Sequence, residues 1–123
     1  MTDNTTYMFS EIREIPTAIK RLIEHSEDCI IAIANEIKQF NPALFTTVAR
    51  GSSDHACTYL KYAIELSASI PVASIGPSIS SIYNVKLKLD KAVNISISQS
   101  GKSPDIVHLT KTCLLYTSPS PRD

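Results

Sequence analysis

Leu44-Phe45-Thr46-Thr47-Val48-Ala49-Arg50-Gly51-Ser52-Ser53 is a short apolar run that ends on a glycine and two hydroxyl residues. The run has the length and composition of a buried strand, and the pattern after it is helical. Ala92-Val93-Asn94-Ile95-Ser96-Ile97-Ser98-Gln99-Ser100-Gly101-Lys102-Ser103 repeats the arrangement. Each hydroxyl-rich loop therefore falls between the end of a strand and the start of a helix. Free backbone N–H groups and the positive end of the helix dipole make that position receptive to an anion such as phosphate.

Working outward, a helix is expected from Ser53 to Ser67, with Ala56, Leu60, Ala63 and Ile64 on its apolar face. A second strand follows at Pro71-Val72-Ala73-Ser74-Ile75, stopped by Gly76-Pro77. Ser78 to Tyr83 reads as a short helix, Ala92 to Ser98 as the third strand, and Ser103 onward as the last helix. Alternating strands and helices imply right-handed crossovers and an α/β, doubly wound parallel sheet covered on both faces. With strand order 2-1-3, the first and third strands are neighbours and their helices leave toward opposite faces. A crevice then opens at their carboxyl ends, lined by both loops.

Ahead of the first strand, short helices are expected. Met8 to Arg13 forms a turn, Pro16 opens a second helix carrying Ile19, Leu22 and Ile23, and Ser26-Glu27-Asp28 opens a third. Ile30, Ile33, Ala34, Ile37 and Phe40 line the third helix, and Asn41-Pro42 stops it.

Composition excludes several classes of function. The 123 residues suffice for one small domain, and 12 basic residues balance 12 acidic ones without a run of either sign. Neither nucleic acid nor an anionic membrane surface is an expected partner. The longest apolar stretch, Cys29 to Ala34, is too short to span a bilayer, and the first residues lack the blocks of a secretory signal. Three cysteines without metal-like spacing fit a reducing cytoplasm, with Cys29 and Cys57 on the apolar sides of helices as packing residues. No metal or organic cofactor is expected.

The loops themselves are informative. Gly51 permits a sharp turn, and Ser53 taken alone is an ordinary N-cap. Ser98, Gln99, Ser100 and Ser103 put four polar side chains around Gly101, more than a single cap requires. Gly101-Lys102-Ser103 resembles the end of a P-loop, but Ser96 stands where that motif needs its first glycine, and no Gly-x-Gly-x-x-Gly occurs. His55, one turn beyond the first loop, is a candidate to face the crevice. Asp54 and Asp105 lie in first helical turns, where a carboxylate suits the dipole. No catalytic triad, carboxylate pair or metal cluster emerges.

At these loops the chain resembles the sugar isomerase (SIS) domain family. The resemblance rests on Ala49-Arg50-Gly51-Ser52-Ser53-Asp54-His55-Ala56 and on Ser96-Ile97-Ser98-Gln99-Ser100-Gly101-Lys102-Ser103-Pro104-Asp105. Met8-Phe9-Ser10-Glu11-Ile12 with Glu14-Ile15-Pro16, Pro71-Val72 and Ser78-Ile79-Ser80-Ser81-Ile82-Tyr83 extend it over residues 8–112. The resemblance implies a three-layer αβα domain, of which the first three strands of a five-stranded sheet are present. It implies that Ser98, Gln99, Ser100 and Ser103 hold a sugar phosphate, with Ser52 and Ser53 touching phosphate or sugar. Arg50, Gly51, His55 and Gly101 are secondary candidates. Arg50 stands where amino-sugar synthases of the family carry a cysteine.

The organisation expected is a helical lead-in over 1–40, the N-terminal part of a SIS domain over 41–112, and a non-native tail over 113–123. That tail, Cys113 to Asp123, resembles the translation of a sequencing adaptor, and its prolines should end the last helix. The resemblance implies a phosphorylated amino sugar as ligand and a cytoplasmic homodimer when the protein is full length. The leading expectation is a glucosamine-6-phosphate deaminase/isomerase whose catalytic groups lie downstream, so that this fragment alone is inactive. The alternatives are an aminotransferase-like isomerase domain and a non-catalytic sugar-phosphate sensor. A sensor joined to DNA should have a basic helical module in front, whereas residues 1–40 are predominantly acidic.

Overall fold

The computed structural model describes residues 6–116. The chain divides into two compact units, Met1–Gln39 and Phe40–Asp123.

The first unit is formed by helix α1, Tyr7–Phe40, continuous over 34 residues, whose last residue counts with the second unit. The separate short helices expected here are one element. Pro16 removes a single N–H from the ladder, and good helix formers on both sides carry the helix through it. Ser26 does not start a new helix because the apolar spacing stays in phase across it, through Ile19, Ile23, Ile30 and Ile33. Cys29, expected to pack, is exposed.

The second unit holds β1 (Leu44–Val48), α2 (Ser52–Ala68), β2 (Val72–Ser74), α3 (Ser78–Ser81), β3 (Ala92–Ser96) and α4 (Pro104–Tyr116). The sheet is parallel in the order β2-β1-β3. Phe45 pairs with Val72, and Thr46 pairs with Asn94. β1 is the central strand and the most buried, as its run of Phe45, Thr46, Thr47 and Val48 requires.

Successive residues of β1 serve opposite faces. Val48 belongs to the core that α4 covers, together with Leu89, Ile106, Leu109 and Cys113. Thr47 bonds the thiol of Cys57 on α2, which is the buried residue of that helix. Ala56 and Ala63, expected on the apolar face of α2, are exposed; the inward face runs through Ser53, Cys57, Leu60 and Ile64. Bulk alone does not set the rotation, because Tyr59, Tyr62 and Leu66 are exposed; the contact of Cys57 with Thr47 of β1 marks the inward face.

Polar groups inside the sheet are bonded in series. Thr46 Oγ1 donates to Asn94 Oδ1 (2.9 Å), Asn94 Nδ2 donates to Ser96 Oγ (3.0 Å), and Ser96 Oγ meets Thr110 Oγ1 (2.8 Å). This chain ties β1 to β3 and β3 to α4, and no buried side-chain polar atom among the described residues is left unpaired. α4 continues through the expected tail boundary to Tyr116, with Cys113 in the core. The rest of that tail, from residue 117, and residues 1–5 lie outside the described residues.

Candidate functional site

The site follows from strand order. β1 and β3 are adjacent and parallel, so their carboxyl ends stand side by side, and the N–H of Ile97 donates to the carbonyl of Val48 (3.0 Å). Each chain then turns away to opposite faces of the sheet. The space left between the turns is a cavity of about 210 Å³.

Arg50, Gly51, Ser52 and Ser53 line one wall of this cavity. Ile97, Ser98, Gln99, Ser100 and Ser103 line the other, with Ile106 beneath. All six leading candidate residues are therefore brought together, along with the secondary candidates Arg50 and Gly51. His55 is exposed and does not line the cavity, because its place in α2 directs it away from the crevice. Gly101 shapes the second loop without lining it.

Both loops need glycine for their turns. Gly51 has φ 60° and ψ −134°, and Gly101 has φ 65°, conformations that a side chain disfavours. Gly51 is itself the N-cap of α2 and supplies no side-chain bond, so the hydroxyls of Ser52 and Ser53 are uncommitted among the described residues. The expected capping role of Ser53 is not used.

The second loop is held by its own hydroxyls. Ser98 Oγ accepts the N–H of Gly101 (3.2 Å) and lies 3.4 Å from Ser103 Oγ. Ser100 Oγ accepts the N–H of Lys102 (3.2 Å). The N–H groups of Gly101 and Lys102 are thereby spent within the loop, while the hydroxyl proton of Ser100 and that of one of Ser98 and Ser103 stay available to an anion. Pro104 begins α4, where its missing N–H leaves no helical bond unmade.

Sequence reasoning missed the partner of Arg50. Its Nη1 meets Asp105 Oδ2 at 2.6 Å, while Asp105 Oδ1 accepts the N–H of Ile106 (3.0 Å). Asp105 thus does more than complement the helix dipole: it ties the first loop to the start of α4. The pair is well placed for orientation, although Arg50 is 68% exposed and a solvated pair adds little stability. Only the carboxylate in a first turn hinted at it, and nothing in the spacing of 55 residues specified the partner.

Arg50 is the one charged side chain lining the cavity among the described residues, and Lys102 is not part of the lining. Arg50 and Asp105 also border an adjoining cavity of about 400 Å³, walled by Pro77, Ser78, Ser81, Ile82 and Pro104. The short helix α3 therefore approaches the same crevice. No group of three or more residues able to hold a metal occurs among the described residues. No helix of the described residues is long and apolar enough to cross a membrane.

No family model matches the chain. Curated relatives do. Glutamine–fructose-6-phosphate aminotransferase [isomerizing] of Geobacillus kaustophilus is 39% identical over 106 residues, covering 80% of this chain and 17% of the relative. The protein of the same name from Thermococcus kodakarensis is 30% identical over 106 residues, covering 85% of this chain and 17% of the relative. A crystal structure from Silicibacter pomeroyi DSS-3, provisionally described as a phosphosugar isomerase, superposes with a TM-score of 0.84 at 48% identity. That match covers 89% of this chain and 33% of the other. The chain thus spans about a sixth of the length of these curated relatives and a third of the structural neighbour.

Proposed function

This chain belongs to the sugar isomerase (SIS) domain family, and from that premise we propose that its crevice grips the phosphate of an amino-sugar phosphate in an isomerase. The observation that carries the reading is the convergence of the two hydroxyl-rich loops on one cavity at the carboxyl ends of β1 and β3. A phosphate there meets serine hydroxyls, backbone N–H groups and the Arg50 guanidinium. Binding energy gathered at the phosphate orients the remote reacting carbons.

The finer reading is a cytoplasmic glucosamine-6-phosphate deaminase/isomerase, homodimeric when full length. Its reaction is ring opening, aldose–ketose isomerisation through an enediol-type intermediate, and hydrolysis in which water adds to the nitrogen-bearing carbon and ammonia leaves. An aminotransferase-type isomerase domain is the second reading, supported by the names of the curated relatives. In both, the enolising groups lie outside these 123 residues, and residues 113–123 are a non-native tail.

Calorimetric titration with glucosamine 6-phosphate, inorganic phosphate and glucosamine tests the grip. Binding of both phosphates and no binding of glucosamine is the expected result. Glucosamine binding as well as its phosphate does would overturn the reading. In the longer protein containing this segment, ammonia release from glucosamine 6-phosphate without glutamine marks the deaminase, and strictly glutamine-dependent turnover marks the aminotransferase.

A further inference from the structure

Arg50 borders both the cavity of about 210 Å³ between the two loops and the adjoining one of about 400 Å³, and no other residue is common to the two linings. Position alone does not make its charge effective. A guanidinium that is 68% exposed on a long stem samples many rotamers, and an anion that captures it must first order it.

Asp105 does that ordering in advance. Its Oδ2 accepts from Arg50 Nη1 at 2.6 Å, and its Oδ1 accepts the N–H of Ile106 (3.0 Å). The carboxylate is only 19% exposed and is bonded to the backbone of a core residue, so it is the fixed partner and Arg50 the one being held. One of the five guanidinium N–H donors is engaged in this way, which leaves the others for an anion. Asp105 does not line the crevice between the loops, so a phosphate there meets the guanidinium and not the carboxylate. At an ionic strength of about 0.15 M, repulsion between solvated charges fades over about 8 Å, whereas the hold on Arg50 acts at contact.

We infer that Asp105 is a positioning residue for the phosphate, acting through Arg50 by holding its guanidinium at the crevice before the ligand arrives. The inference rests on the phosphate grip proposed above and adds to it a residue that does not touch the ligand.

Asp105→Asn isolates the hold. The amide oxygen of asparagine still accepts the N–H of Ile106 and suits the start of a helix, but the other terminal atom becomes an NH2 group, which cannot accept from Arg50. In a calorimetric titration with inorganic phosphate at about 0.15 M salt, Arg50→Ala should bind about tenfold more weakly than the wild type and Asp105→Asn about fivefold more weakly. In the Arg50→Ala background, Asp105→Asn should bring no further weakening, because nothing is left for Asp105 to position.

Unchanged binding by Asp105→Asn would mean that the carboxylate serves only α4, and tighter binding that it repels the ligand. Either result overturns the role of Asp105 and leaves the grip standing. Equal weakening in both backgrounds overturns it too, since Asp105 would then act without Arg50, as does an Arg50→Ala variant that binds like the wild type. A wild type that binds no phosphate overturns the grip and the role together.

Discussion

Gly51 shows how one residue fixes the geometry of the site. Nothing lies within 4 Å of where its Cβ would be, so a side chain would meet no atom, yet φ 60° with ψ −134° is strained for any L residue. Gly51→Ala should destabilise the fold by about 1–3 kcal/mol in urea denaturation, through the backbone alone. An unchanged midpoint would mean the turn relaxes freely. Ser98 and Ser100 are different, since each hydroxyl holds an N–H of its own loop. Losing one bond to a charged ligand amounts to about 1.5–3 kcal/mol, so Ser100→Ala should weaken phosphate binding about tenfold or more. The cysteines divide by exposure. Cys29 should react with a thiol reagent in the native protein, whereas Cys57 and Cys113 should react only on unfolding, as mass spectrometry of the labelled peptides would record.

At the scale of elements, α4 is fixed to the sheet beside the crevice by burying Ile106 and Leu109 with Val48 in one core. Leu109 is 2% exposed, so Leu109→Ala should cost about 2–5 kcal/mol, read as a lowered thermal midpoint. A loss under 1 kcal/mol would contradict the packing described. The order β2-β1-β3 was an assumption about the sequence rather than a reading of it; the sheet has that order, and it places two loops of like composition on adjacent strands. The rotation of α2 was not legible either, because alanines and Cys57 compete for the inward face and only packing decides between them. The continuity of α1 was missed for a related reason. Pro16 and Ser26 are local stop and start signals, and a seam in phase over 34 residues outweighs both.

At the scale of the whole molecule, stability should fall in alkali. Burial pushes the thiol of Cys57 up, with the nearby Asp54 charge adding to it and the Thr47 hydrogen bond opposing it. Burial likewise raises Cys113. Both thiols hold their protons more tightly when folded, so this contribution is fully present below the usual thiol value of 9.0 and is lost as pH rises through the folded values. Thermal midpoints of the wild type should drop above pH 9, and Cys57→Ala/Cys113→Ala should show a shallower drop. An identical slope in the double variant would place the alkaline transition elsewhere.

The site was legible as two sets of hydroxyls because their residue types exceed what helix caps use. The Arg50–Asp105 tie was not, since it depends on which residues the strand order places opposite each other. The central claim is that both loops grip one phosphate. Amide chemical-shift mapping during a glucosamine 6-phosphate titration tests it most directly. Saturable shifts at both Gly51–Ser53 and Ser98–Ser103, reproduced by inorganic phosphate and weakened in Ser100→Ala, are the predicted result. Shifts confined to one loop, or located away from both, would contradict it.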